Sequence, residues 1–190
     1  MISIQDYLKK QGYNVAIDET TKHIDKWLSW YQGYVKDFHH YTVYNGIETI
    51  DKDRYTLGMG KTICEDWANL LLNEKVEIYT GTSFDKQLEN VFEYNSFRVK
   101  GNQLIELAFA LGTGAFVEYL DADSKVVIDY IRAGMIFPLS WDNGYVNECA
   151  FGSMRERDGK KQYYIQIHKQ GDKGTYIIEN HIVNAESGAE

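Results

Sequence analysis

Leu107–Asp121 reads LAFALGTGAFVEYLD, and the spacing of its apolar residues changes in the middle. Up to Leu111 the spacing is helical, with Leu104, Leu107, Ala108 and Leu111 on one stripe. Gly112 is a natural terminator, because glycine takes the left-handed backbone that ends a helix without steric cost. From Gly114 the period is two, which is the period of a half-buried strand. The change of period divides the chain into a mainly helical part before it and an antiparallel meander after it. Segregation of this kind predicts an α+β fold, with N-terminal helices packed on a C-terminal antiparallel sheet.

Downstream, Ala115–Leu120 and Lys125–Ile131 flank the polar turn Asp121–Ser124. Met135–Pro138 is a short apolar piece, and Pro138 is the chain's one proline. Trp141 and Tyr145 flank Asp142-Asn143-Gly144, where Asn-Gly accepts the positive φ values of a type I′ hairpin turn. Tyr145–Phe151 and Gln162–Lys169 flank a second turn, Arg157-Asp158-Gly159-Lys160, and Gly171–Gly174 precedes a last strand, Thr175–Ile182. Upstream, Ile4, Tyr7 and Leu8 mark a short amphipathic start, and Asp18, Thr20 or Thr21 is suited to cap the helix that follows. That helix is expected to run through Ile24, Trp27, Leu28, Tyr31, Tyr34, Val35 and Phe38. Asn45-Gly46 turns between two short strands within Tyr41–Thr49, and further helices are expected over Leu57–Leu72 and from Ser83 through Phe84, Leu88, Val91 and Phe92. The expected organisation is an N-terminal arm at 1–20, a helical part at 21–111, the meander at 112–184 and a small polar tail at 185–190, with 21–184 as one domain.

Lys61–Tyr79, KTICEDWANLLLNEKVEIY, reads as a packing unit. Met59, Ile63, Trp67, Leu70 and Leu71 share a helical stripe expected to be buried. Val76, Ile78 and Tyr79 then look strand-like. Beside it lies the sharpest chemical candidate, Gly58-Met59-Gly60-Lys61-Thr62. A phosphate loop needs G-x-x-x-x-G-K-[ST] after a buried strand, so that backbone N–H groups wrap the phosphates. The first glycine falls on Tyr55, the preceding residues are IDKDRYTL, and no parallel βαβ unit follows. Asp129, ending Val126-Val127-Ile128-Asp129, resembles a magnesium-holding aspartate but also suits any strand of a meander.

Other polar groups give less. His39 and His40 are adjacent and so diverge on a helix. His23, His168 and His181 are scattered, whereas a metal needs three or four converging ligands. Glu65 with Asp66, Asp51 with Asp53, and Asp121 with Asp123 are local pairs explained by helix surfaces and turns. Gly112-Thr113-Gly114 is a helix-to-strand break. No catalytic, cofactor-binding or metal-ligating residue is assigned, and the chain is read as a non-enzyme.

Composition agrees. Over 190 residues, 44% hydrophobic and 25% charged side chains are a globular balance, sufficient for one core and a satellite. The 15 tyrosines suit half-wet sheet faces and subunit contacts. A net charge of −8, from 28 acidic and 20 basic residues, disfavours a free-standing nucleic-acid binder. Cys64 and Cys149 are read as two buried thiols in a reduced compartment rather than as a disulfide. Neither a signal peptide nor a span-length apolar run is present, so the chain is read as soluble and made in a cytoplasm.

Four segments in order carry a resemblance: WLSWYQGYVKDFHHYTVYNG at 27–46, KTICEDWANLLLNEKVEI at 61–78, LAFALGTGAFVEYLD at 107–121 and FPLSWDNGYVNECAF at 137–151. Together they resemble the N-terminal part of the portal, or head–tail connector, proteins of tailed phages of Gram-positive hosts. The resemblance implies a structural subunit of the virion, in a ring usually of twelve subunits at one capsid vertex, assembled in the host cytoplasm. It implies as partners the other portal subunits, capsid and scaffold proteins, and the terminase and tail connector, with DNA as passing cargo and no cofactor. It implies the outer wing for this region. The family's stem helices and clip come later in the chain and are not found before Glu190, so a trimmed or naturally short piece is expected, monomeric or weakly associating by itself. The alternatives are another minor capsid or connector component, or a phosphate-binding enzyme using Lys61, Thr62 and Asp129.

Overall fold

The computed structural model describes residues 2–15 and 18–188. Its elements, in order, are α1 (Ile4–Lys10), α2 (Asp18–Tyr31), α3 (Lys36–His39), β1 (His40–Tyr44), β2 (Thr49–Asp53), α4 (Met59–Leu71), α5 (Asp85–Tyr94), α6 (Phe97–Leu111), β3 (Gly114–Leu120), β4 (Val126–Arg132), β5 (Ile136–Asp142), β6 (Tyr145–Arg157), β7 (Lys160–Gln170) and β8 (Tyr176–Asn184). The fold is α+β, with the helices in the N-terminal half and every strand pair antiparallel. The chain forms two compact units, Met1–Thr20 with Gly134–Glu190, and Thr21–Ala133. The N-terminal arm therefore groups with the last four strands, and the β3–β4 pair with the helices.

In the first unit the sheet order is β5-β6-β7-β8. Asn143 and Gly144 have φ 49° and 83°, and Asp158 and Gly159 have φ 53° and 70°, so both turns adopt the positive-φ pairs that match strand twist. Helix α1 opens with a capping box in which Ser3 and Asp6 bond reciprocally to each other's backbone N–H. Those bonds hold the Asp6 carboxyl below its usual pKa. Ile4, Tyr7 and Leu8 then pack on Phe137, Ala150, Ile165, Ile167 and Val183 as one dry core. Gly152 lies mid-strand because α1 crosses there: a Cβ would sit 2.6 Å from Ile4 Cδ1. Pro138 is accommodated on the edge strand β5, beside a register irregularity.

In the second unit α4 packs on α6 through Ala68 and Leu72, with Gly101 allowing the close approach. Asn102 Nδ2 donates to Leu72 O at 2.6 Å, satisfying a carbonyl at the end of α4. Asn95, buried after α5, binds the outer edge of β4: its Nδ2 donates to Val126 O at 2.9 Å and its Oδ1 accepts from Ile128 N at 2.8 Å. The buried cluster is small, Ile24, Leu111 and Ala133, supported by Leu28 and Ala110. Phe92, Phe97, Phe116 and Tyr130 form a chain of ring contacts in the same unit.

Three expectations are corrected. The helix expected through Phe38 ends at Tyr31, because Gly33 turns at φ 85° and a separate short helix, α3, follows. The strand expected at Val76–Tyr79 is irregular chain; Ile78 and Tyr79 are exposed and have no strand partner among the described residues. The α4 stripe is not buried. Met59, Ile63, Trp67, Leu70 and Leu71 all face outward, and the interior is reached instead by Ala68, with Leu72 just beyond the helix. The capping proposed for Asp18, Thr20 and Thr21 rests on side chains outside the described ones.

Candidate assembly surface

The phosphate-loop candidate sits in the wrong surroundings. Gly58, with φ 64°, precedes α4, and the segment before it is irregular chain leading from the exposed strand β2, with Tyr55 fully exposed. Lys61 Nζ pairs with Glu65 Oε1 at 3.3 Å, one helical turn on, and Thr62 Oγ1 donates to Gly58 O at 3.4 Å. Asp129 lies on β4 opposite Val117. Burial raises its carboxyl pKa, and Lys100 partly opposes the rise.

The histidines disperse as the sequence suggests. His39 is buried at the end of α3 and accepts from Val35 N through Nδ1 at 2.8 Å. His40, on β1, faces Asp53 at 3.2 Å and Asp51 at 3.7 Å. His23 stacks on Trp27. His168 is buried on β7 against Phe151, with Nδ1 2.7 Å from Tyr176 Oη, and burial lowers its pKa. His181 meets Tyr7 Oη at 3.0 Å. Among the described residues no group of three or more His, Cys, Asp or Glu side chains converges as metal ligands would. Asp121 is a turn residue whose Oδ1 accepts from Asp123 N and Lys125 N, which holds its pKa low. Cys64 and Cys149 are free and half-buried rather than fully buried. Burial pushes the Cys149 thiol up to about 11. A groove of about 520 Å³ is lined by Asn69, Leu72, Glu74, Lys75, Arg98 and Asn102, and its Arg98 is held by Glu89 and the Val76 carbonyl.

The distinctive surface is apolar. On α4, Trp67 is 51% and Leu70 71% exposed, although Trp67 stacks on Phe109 with ring centres 5.8 Å apart. The β1–β2 hairpin is exposed along most of its length, and Ile47 at its tip is 89% exposed. Its register places Tyr41 opposite Lys52 and Val43 opposite Ile50, so these four share one face. Thr42, Tyr44, Thr49, Asp51 and Asp53, with His40, form the other. Arg54 pins the base: its N–H donates to His39 O at 2.8 Å, its guanidinium to Phe38 O, and it lies over the Phe38 and Tyr41 rings. Sequence reasoning found these apolar residues by their period and assigned α4 to the interior. Periodicity reports an apolar face but not what covers it.

Among the described residues no helix is long and apolar enough to cross a membrane. The sequence model of the family described as phage portal protein, SPP1 Gp6-like, matches residues 14–176. No curated protein matches the chain.

Proposed function

This chain belongs to the SPP1 Gp6-like family of phage portal proteins, and we propose that it serves as the wing region of a portal subunit at the capsid vertex through which DNA is packaged and released. The family is structural and non-enzymatic, and membership implies an oligomeric ring associated with the virion capsid. The observation that carries the reading is the match over residues 14–176, which runs through both compact units. The exposed apolar faces of Thr21–Ala133 support it, because a subunit that functions in a ring keeps apolar surface for its neighbours.

On this reading no residue of the chain is catalytic and none holds a cofactor or metal. The partners are further portal subunits, twelve in the complete ring, together with capsid and scaffold proteins, the terminase and the tail connector. Assembly takes place in the host cytoplasm, and DNA passes as cargo. The net charge of −8 suits a surface beside packaged DNA, since like charge discourages sticking. The test is labelling of intact virions with an antibody raised against this chain. One labelled vertex per particle, at the head–tail junction, is expected. Label spread over the head, or absent from particles, would overturn the assignment.

A further inference from the structure

We propose, resting on the portal reading, that the β1–β2 hairpin of one subunit lies along the α4 stripe of its ring neighbour. A closed ring of more than two copies is held by heterologous interfaces, in which each subunit offers one patch on one side and a different patch on the other. The unit Thr21–Ala133 carries two such patches, both apolar and both without a cover among the described residues.

The hairpin is the projecting patch. An isolated two-stranded hairpin is at best marginally stable in water. This one packs at its base against α3 and is pinned there by Arg54, while Val43, Ile50 and the tip residue Ile47 remain exposed. The stripe is the receiving patch: Met59, Ile63, Trp67 and Leu70 line one side of α4, with Phe109 backing the tryptophan. The dimensions agree. A five-residue strand spans about 17 Å, and the eleven steps from Met59 to Leu70 rise about 17 Å along a helix. The charges agree as well. Lys52 shares the apolar face of the hairpin, and Asp66 borders the stripe on the helix. Neither forms an ion pair among the described residues, whereas Lys61 on the far flank is already held by Glu65. Seating the hairpin on the stripe brings the Lys52 ammonium toward the partner subunit's Asp66 and covers Val43 and Ile50 with Trp67 and Ile63.

The test is disulfide trapping between two variants of the 190-residue chain, Ile50→Cys and Leu70→Cys, both at exposed positions and both carrying Cys64→Ser and Cys149→Ser, so that each chain has one thiol. Mixed at equal concentration under mild oxidation, they are expected to give covalent dimer at several times the yield of either variant alone or of the unmodified chain. A dimer from Ile50→Cys alone at the same yield would mean hairpin meets hairpin, and no dimer in the mixture would mean the surfaces do not meet; either overturns the proposal. Lys52→Glu, added to the Ile50→Cys chain, is expected to cut the mixed yield, and Asp66→Lys on the Leu70→Cys chain to restore it. Circular dichroism of each variant separates lost contact from lost fold. Vertex labelling of virions with no trapped dimer would leave the portal assignment standing and remove this contact alone.

Discussion

The two compact units distribute their buried apolar residues differently. In Met1–Thr20 with Gly134–Glu190, ten buried residues from α1, the segment after it and the sheet form one cluster, and Ile165, Ile167 and Val183 are sealed from solvent. In Thr21–Ala133, three of the described buried residues form a cluster and Ala68, Leu72, Leu104, Val117 and Ile128 are buried apart from it, while tryptophan, tyrosine, phenylalanine and leucine side chains stand outside. Apolar surface near 25 cal/mol per Å² contributes to folding only where it is removed from water. The first unit gathers its buried apolar residues into one core, although Trp141, Tyr145 and Tyr176 are exposed; the second divides them among smaller contacts and leaves the α4 stripe and the hairpin face open, the surfaces proposed above for a neighbour.

The sharpest way to break this contrast is a pair of truncations. Ile165→Ala is expected to lower unfolding free energy by about 2–5 kcal/mol, and Leu70→Ala, on the open stripe, by less than about 0.5 kcal/mol. Urea titration of each checks it, and equal losses would erase the distinction. Gly152→Ala comes next. Its new methyl group would press on Ile4 and is expected to cost about 1–3 kcal/mol, measured as a lower melting temperature that Ile4→Val partly relieves. Asn95→Ala examines the second unit from within. It leaves Ile128 N and Val126 O without their side-chain partner on the outer edge of β4, and about 1–3 kcal/mol is expected.

Much of this fold was legible because turn chemistry is local. Asn143-Gly144, Asp158-Gly159 and the Asp121 turn announced their hairpins, and Gly112 ended α6 where its φ of 83° does. Non-local features were not legible. Gly152 looked like any strand glycine until α1 crossed it. Gly33 broke a helix whose apolar spacing continued past it to Phe38. Val76–Tyr79 had strand composition but no partner strand among the described residues, and a strand exists only by pairing. The Met59–Leu71 stripe was visible as a stripe, yet its burial depends on what lies opposite, which sequence period does not encode.

A pH dependence is expected in the unit that holds Cys149. Burial raises the Cys149 thiol from 9.0 to about 11, so between those values the folded chain keeps a proton that the unfolded chain has lost. Stability from this group is full below pH 9 and declines as pH rises toward 11. Cys149→Ala is expected to flatten that alkaline decline in a melting series.

Amide hydrogen exchange on the dilute chain, read by mass spectrometry, tests the contrast most directly. Peptides covering Thr42–Asp51 are expected to exchange far faster than those covering Tyr163–His168 of β7, and to become protected once subunits are assembled. Hairpin amides in the dilute chain as protected as those of β7 would contradict the account.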